Sequence, residues 1–287
     1  MTSTPAARLR ELMARPGMIT APGAYDGITA RMIAAAGHAC VYMTGSGTAA
    51  TYGYPDYGLV TMTEMVANAD RIVRASGLPL IADADTGYGN ELNVTRAVHE
   101  YERRGVAAIH LEDQEFPKKC GHLDDKAIIS ADAFCAKIAA AANARRSSDF
   151  VVIARTDARA VEGFDAAIDR ANRALEAGAD VIFFEATQSE AEMADVPKRV
   201  EGPCLLNLVY KGKTPFVPLA TAQDMGYKIA ILPSLLLRHV FGACEEILAK
   251  ISDDGPLPTP AGDYSPAEGF AKFGAAEWDA LRTRFRE

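Results

Sequence analysis

Short apolar runs alternate with longer amphipathic stretches along most of the chain. Runs of four or five apolar residues, bounded by Gly, Pro or charged residues, read as strands buried on both faces. Eight runs fit: 18–21, 39–43, 78–82, 107–111, 150–154, 181–184, 204–208 and 229–232. Between them, apolar residues recur every three or four positions, which predicts helices. Those helices start near Asp26, Thr61, Leu92, Ala131, Asp165, Ser189, Pro218 and Leu235. Thr61-x-x-Glu64 and Ser189-x-x-Glu192 have the spacing of capping boxes. Gly37, Gly77, Gly105 and Gly178 close helices just before a strand, where a left-handed residue is wanted. Eight strand–helix units imply a parallel sheet and suffice to close a (β/α)8 TIM barrel. The alternative, an open doubly wound sheet, lacks a Gly-x-Gly-x-x-Gly turn after the first strand.

The pattern changes after residue 251, so the expected organisation is a catalytic barrel over 1–251 and an arm over 252–287. Within Asp253-Asp254-Gly255-Pro256-Leu257-Pro258-Thr259-Pro260, three prolines rule out a helix. Residues 265–286 read as a helix with apolar positions at Phe270, Phe273, Trp278, Leu281 and Phe285. A helix on an extended arm has no evident place on its own barrel, so it is expected to dock on a neighbouring subunit.

Composition narrows the class. An apolar share of 49% and a charged share of 24% are ordinary for a globular protein of 287 residues. A net charge of −8 with no long basic run argues against nucleic acid or an anionic membrane as a partner. No run approaches the roughly 20 apolar residues of a membrane span. Residues 1–15 lack an apolar signal core and contain Glu11, so export is not expected. The five cysteines are widely spaced, without a Cys-x-x-Cys, which fits the reducing cytoplasm. Cys40, Cys135, Cys204 and Cys244 read as inert core.

Cys120 stands apart. Lys118-Lys119-Cys120-Gly121-His122 follows the fourth strand and is too polar for core, so it reads as a mobile loop. Basic neighbours are expected to lower the thiol pKa. Chemistry also gathers at the other strand ends, where barrels carry their sites. Thr44-Gly45-Ser46-Gly47-Thr48 is a small-residue turn suited to a carboxylate or phosphate. Asp83 and Asp85, two apart on an extended segment, should face the same way and be relieved by a divalent cation, with Glu112 adding a third carboxylate. Hard oxygen ligands suit Mg²⁺ or Mn²⁺. Arg155 can grip a carboxylate with two parallel hydrogen bonds, and Glu185 and Asn207 complete the series.

These segments, together with Pro55-Asp56-Tyr57-Gly58, His110-Leu111-Glu112-Asp113-Gln114 and Lys213-Thr214-Pro215, resemble the isocitrate lyase / phosphoenolpyruvate mutase superfamily over nearly the whole chain. Lys-Lys-Cys-Gly-His marks the lyase branch, and the chain is most similar to its short members: 2-methylisocitrate lyases, 2,3-dimethylmalate lyase-like proteins and carboxyphosphonoenolpyruvate phosphonomutases. The resemblance implies Mg²⁺ on Asp85, with Asp83, Asp56 and Glu112 acting through water. It implies that Tyr42, Thr44, Gly45, Ser46, Asp83, Arg155 and Asn207 contact a small di- or tricarboxylate, and that Cys120, Glu185 and His122 are catalytic. It also implies a homotetramer, a dimer of dimers with swapped C-terminal helices.

The expected reaction is carbon–carbon cleavage of a 2-hydroxy carboxylate, of the 2-substituted malate or methylisocitrate type, to a 2-oxo acid plus a carboxylate. Cys120 would protonate the departing carbanion. One departure stands out: lyases of this branch carry a glutamate three residues after the strand-seven asparagine, and here Tyr210 occupies that place, followed by Lys211. An oxaloacetate decarboxylase, a phosphonomutase or a catalytically silent metabolite-binding barrel are the alternatives.

Overall fold

Eight parallel strands pair in sequence order and close on themselves in the computed structural model, which describes residues 3–252 and 254–286. They are β1 Ile19–Ala24, β2 Val41–Met43, β3 Leu80–Asp83, β4 Ala108–Glu112, β5 Val151–Thr156, β6 Val181–Phe184, β7 Cys204–Asn207 and β8 Ile229–Leu232. Ile19 beside Ile229 and Pro22 beside Leu232 complete the ring. All eight expected strands form, and so do the eight helices between and after them. Gly37, Gly77, Gly105 and Gly178 all take positive φ. Thr61 and Glu64 make both halves of their capping box. Ser189 makes only its own half, because the Glu192 carboxylate is held by Arg159 instead.

The strand period of two sorts the core into an inner and an outer layer. Ile19, Ala21, Tyr42, Ile81, Ala108, Val151, Ile153, Val181, Phe183, Leu205, Ile229 and Ile231 fill the inside of the ring. Val41, Leu80, Ile109, Val152, Ile182 and Leu206 face outward and pack under the helices.

Two helices of the barrel lie outside the expected pattern. Pro5–Ala14, capped by Thr4, buries Leu9 among the inner residues. Its Arg10 reaches Asp180 at 2.8 Å and the carbonyls of Asp149 and Phe150. Gly45–Thr51 forms a short helix capped by Thr44 where an anion-binding turn was expected. Gly47 is needed there, since a Cβ would lie 2.5 Å from the Thr44 methyl and 2.8 Å from Tyr25 Cβ.

The chain divides into two compact units, Met1–Leu237 and Arg238–Glu287. The division falls inside the helix Leu235–Leu248, ahead of the 251/252 boundary read from the sequence. Of the acid–proline run, Asp253 lies outside the described residues. The expected terminal helix is two helices, Pro266–Ala271 and Ala275–Arg284. Gly274, at φ +80°, breaks it. Phe270, Trp278 and Phe285 are all exposed. The cysteines also sort differently: Cys40 and Cys204 are buried, but Cys135 is half-buried and Cys244 exposed. Among the described residues no helix is long and apolar enough to cross a membrane.

Candidate active site

The inward rows turn polar at one end of the barrel. Ile81 is followed by Asp83, Ala108 by His110 and Glu112, Val151 and Ile153 by Arg155, Phe183 by Glu185, and Leu205 by Asn207. Strand pairing sets Asp83 beside His110 and Glu112 beside Arg155. Each of these polar residues is buried. Strand geometry alone therefore gathers five of the expected site residues, together with His110.

Asp83 accepts from the Gly45 N–H at 3.1 Å and from the Tyr42 hydroxyl at 3.4 Å. A Cβ on Gly45 would lie 2.4 Å from the Asp83 carboxylate, so glycine is what allows this approach. The Tyr42 hydroxyl also meets His110 Nε2 at 2.8 Å. Burial lowers the His110 pKa to about 3, so its ring is neutral. Thr44 and Ser46 hydroxyls share a hydrogen bond at 2.9 Å beside this group.

Asp85 is not the extended partner of Asp83 that the sequence spacing implied. β3 ends at Asp83, and Asp85 takes φ +47°, in the left-handed region. Its N–H donates to Asp83 Oδ1 at 3.0 Å, so the backbone bends between the two carboxylates. Asp85 is instead paired with the Lys118 ammonium at 3.0 Å, which also contacts Asp56. Burial works against the charge on Lys118, but Asp85 and Asp56 override it and push its pKa well up.

The four expected metal ligands are therefore spread over three neighbourhoods: Asp56 and Asp85 on Lys118, Asp83 on Tyr42 and Gly45, and Glu112 on Arg155 at 3.0 Å. Among the described residues, no three acidic, His or Cys side chains converge tightly enough to cage an ion. The donor set still fits a divalent cation. Asp85 Oδ1 and both oxygens of Glu112 are buried and receive no aligned hydrogen bond. Burial pushes the Asp85 carboxyl up to about 6 and the Glu112 carboxyl well above its usual range. Among the described residues, six carboxylates (Asp56, Asp83, Asp85, Glu112, Asp157 and Glu185) share three lysine and arginine cations, Lys118, Arg155 and Lys126, with His110 beside Asp83 and His122 beside Glu185, an excess of negative charge that a hard cation would offset.

Across the pocket, Arg155 is held by Asp157 at 3.0 and 3.3 Å and lies 3.9 Å from Glu185. The Asn207 amide donates to Glu185 at 3.2 Å. The Lys-Lys-Cys-Gly-His segment lies directly over this group. A Cβ on Gly121 would sit 2.2 Å from Glu185 Oε1 and 2.5 Å from Arg155 Nη2. His122 Nδ1 accepts from the Lys213 N–H at 3.0 Å, so its ring proton sits on Nε2, which is 3.4 Å from Glu185. The loop's two ends are pinned together by the Gln114–Ile128 bridge and by Gln114 clamping Lys119 through both its backbone groups. Tyr210 is exposed and its ring meets Phe216 edge-on at 5.8 Å.

The thiol of Cys120 is shifted opposite to the sequence expectation. Burial raises its pKa, with Asp56 and Glu185 adding to the shift and the His122 N–H and Arg155 opposing it. Lys118 brings little positive field because Asp56 and Asp85 neutralise it, and Lys119 reaches the Asp125 carbonyl instead. The result is a thiol kept protonated, the form that can give a proton away.

Three residues of this region were missed by sequence reading: His110, Lys126 and Asp157. His110 and Asp157 each follow the period of two from a residue that was noticed, His110 from Glu112 and Asp157 from Arg155. Asp157 is locked in turn by Asp113, which accepts from the Asp157 N–H at 2.8 Å and the Thr156 hydroxyl at 2.7 Å. Lys126 carried no signal beyond its charge.

Comparison with known proteins agrees with this geometry. The family model described as phosphoenolpyruvate phosphomutase matches residues 9–252. The 2,3-dimethylmalate lyase of Eubacterium barkeri is 45% identical over 269 residues, covering 93% of this chain and 92% of the relative. The 2-methylisocitrate lyase of Bacillus subtilis (strain 168) is 42% identical over 250 residues, 87% and 82% of the two chains. A crystal structure of 2,3-dimethylmalate lyase superposes with TM-score 0.94 at 39% identity, covering 99% of this chain and 96% of that one. An oxaloacetate acetylhydrolase in complex with 3,3-difluorooxalacetate gives 0.93 at 38%, covering 98% and 96%. A phosphonopyruvate hydrolase complex with oxalate and Mg²⁺ gives 0.88 at 30%, covering 99% and 100%. This chain belongs to the phosphoenolpyruvate phosphomutase family, in the isocitrate lyase / phosphoenolpyruvate mutase superfamily, and is a carbon–carbon lyase of that group.

Proposed function

We propose that this lyase cleaves a 2-hydroxy acid of the 2-substituted malate or methylisocitrate type to a 2-oxo acid such as pyruvate plus a carboxylate. The observation that carries the reading is the Cys120 loop lying against Arg155 and Glu185, with Gly121 the only residue type that fits between them. Arg155, Asn207, Thr44, Ser46 and the Tyr42–Asp83 group bind the substrate's oxygens. Glu185 takes the proton from the 2-hydroxyl. The C2–C3 bond then breaks, its electron pair passing to C3 and into the adjacent carboxylate. The protonated Cys120 thiol delivers its proton to C3. His122 holds the loop end by its bonds to Lys213 and Glu185. The closed loop keeps water from the carbanion.

Asp85, Asp83, Asp56 and Glu112 are the residues that would hold Mg²⁺, or Mn²⁺ in its place. Such an ion, when bound, supplies positive charge to the oxygens on which negative charge develops. The Mg²⁺ of the phosphonopyruvate hydrolase complex supports this choice of metal. The enzyme works in the cytoplasm, in keeping with five unpaired cysteines. It assembles as a homotetramer whose exposed Phe270, Trp278 and Phe285 are covered by exchange of the terminal helices.

A second reading is an oxaloacetate-cleaving enzyme. Tyr210 in place of the branch's glutamate favours it, as does the similarity to oxaloacetate acetylhydrolase. One experiment separates the two: pyruvate and glyoxylate release from 2-methylisocitrate, 2,3-dimethylmalate, isocitrate and oxaloacetate, with Cys120→Ser beside the unmodified protein. Release from a branched malate or isocitrate that is lost in Cys120→Ser supports the lyase reading. Turnover of oxaloacetate alone, with the variant still active, would move the protein to the second. Calorimetry with Asp85→Ala tests the metal assignment, and undiminished Mg²⁺ affinity would place the ion elsewhere.

A further inference from the structure

We propose that Lys126 is a positioning residue that ties the closed Cys120 loop to the substrate-gripping arginine, so that loop closure and occupancy of Arg155 favour one another. The Lys126 side chain is buried, and its ammonium makes two contacts of different kinds. It pairs with Asp157 at 2.7 Å, and it donates to the Gly121 carbonyl at 2.5 Å. Asp157 is also the carboxylate that holds Arg155. Gly121 is the residue lying against Arg155 and Glu185. One ammonium thus connects the backbone next to Cys120 with the group that orients the guanidinium.

A structural ion pair accounts for only part of the arrangement. Arg155 is shared with Glu112 and Glu185, so Lys126 completes the pairing of Asp157, at the desolvation cost of a second buried cation. What the second cation adds is the bond to the Gly121 carbonyl, 5 residues away along the loop. The Asp157 backbone N–H is fixed to Asp113 and its carboxylate to Arg155 on β5, so Asp157 cannot follow the loop if the loop lifts. Opening must therefore separate Lys126 from Gly121 or from Asp157. Arg155 divides its charge among Asp157, Glu112 and Glu185. When a substrate carboxylate takes a share of that charge, Asp157 is left more fully to Lys126, and the loop's tie tightens. By linkage, a closed loop strengthens the grip on the substrate equally. Lys118 and His122 also fasten the loop, but to Asp56, Asp85 and Glu185; among the described residues, Lys126 is the loop's ion-pair contact with Asp157.

The inference deepens the lyase reading of Cys120, and its principal test does not depend on turnover. Cys120 is alkylated with iodoacetamide in the full-length protein, with and without Mg²⁺ and oxalate, and followed peptide by peptide in a mass spectrometer. Lys126→Met should alkylate Cys120 about tenfold faster or more, the scale of one buried hydrogen bond to a charged group. Exposed Cys244 should react at its original rate, and oxalate should lose most of its protection of Cys120. Turnover on whichever acid proves to be the substrate should fall and KM should rise, because the coupling is reciprocal, and Lys126→Arg should restore part of both. Lys126→Gln, which keeps a donor without the charge, gives the same readout if the Met variant does not fold. A Cys120 rate and an oxalate protection equal to those of the unmodified protein, in a folded variant, would overturn the proposal even if the enzyme is a lyase. Faster alkylation in a protein that cleaves none of the acids would sustain the tie and refute the function.

Discussion

Gly121→Ala probes the closed loop at its tightest point. The added methyl would lie 2.2 Å from Glu185 Oε1, 2.6 Å from Glu185 Cγ and 2.5 Å from Arg155 Nη2. Ordinary contacts at such atoms are about 3.5 Å, so roughly 1 Å must be found. Neither neighbour yields easily. Arg155 is held by Asp157 and Glu112, and Glu185 by Asn207. Overpacking of a filled site costs about 1–3 kcal/mol. Disturbing the buried ion pairs brings the penalty on the closed form toward about 3 kcal/mol. At about 1.4 kcal/mol per tenfold, the population of closed enzyme, and with it kcat, should fall about 100-fold. The rest of the protein should be indifferent, because Gly121 belongs to neither apolar core. The assay is 2-oxo acid release followed through a coupled dehydrogenase, beside a thermal melt and hydrogen exchange over residues 115–127. A variant within threefold of the original turnover, with unchanged exchange in the loop, would show that the closed geometry is not the reacting one.

Two further predictions concern the second unit and two buried thiols. Truncation after Lys250 should lower the solution mass measured by light scattering, since the exposed Phe270, Trp278 and Phe285 would no longer bridge subunits; an unchanged mass rules out exchanged helices. Burial raises the thiols of Cys40 and Cys204 from 9.0 to about 12 each. Their folded pKa values lie above the unfolded ones, so the native state holds these protons longer. The stability they contribute is intact below about pH 9 and declines as pH rises toward 12. At pH 10 each thiol has lost about 1.4 kcal/mol. A Cys40→Ala, Cys204→Ala double variant should therefore lose about 2–3 kcal/mol less between pH 8 and pH 10 in urea titrations. Parallel losses in both proteins would mean that these thiols do not titrate with unfolding.

The barrel was legible because each of its strands is buried on both faces and each helix on one, so composition and period mark every element without outside help. Where an element's character depends on distant partners, the pattern fails. Pro5–Ala14 is short, and its Leu9 is buried only because a barrel end is there to receive it. Gly45–Thr51 looks like a turn, since its glycines answer to close neighbours, Asp83 for Gly45 and Tyr25 for Gly47, and not to any helical propensity. Asp85 was placed on an extended segment, but the strand stops at Asp83 and the backbone turns left-handed to reach Lys118.

The Cys120 thiol shows the same limit in electrostatic form. Two lysines and a histidine within two residues of a cysteine read as a positive neighbourhood, and the inference would hold if those charges were unspoken for. Charge, however, acts through its balance and not through sequence distance. Lys118 is matched by Asp56, 62 residues away, and by Asp85. His122 Nδ1 accepts from the Lys213 N–H, 91 residues on. What reaches the sulfur is mainly burial, with Asp56 and Glu185 behind it, and the shift changes sign. That reversal selects between chemistries. A lowered pKa would have made Cys120 a thiolate, suited to attack a substrate or to abstract a proton from it. A raised one makes it an acid, able to quench a carbanion as the bond breaks. The loop that brings Cys120 over Arg155 and Glu185 also supplies the burial that keeps the thiol protonated, so in the proposed mechanism the proton donor is formed by the same closure that excludes water from the site.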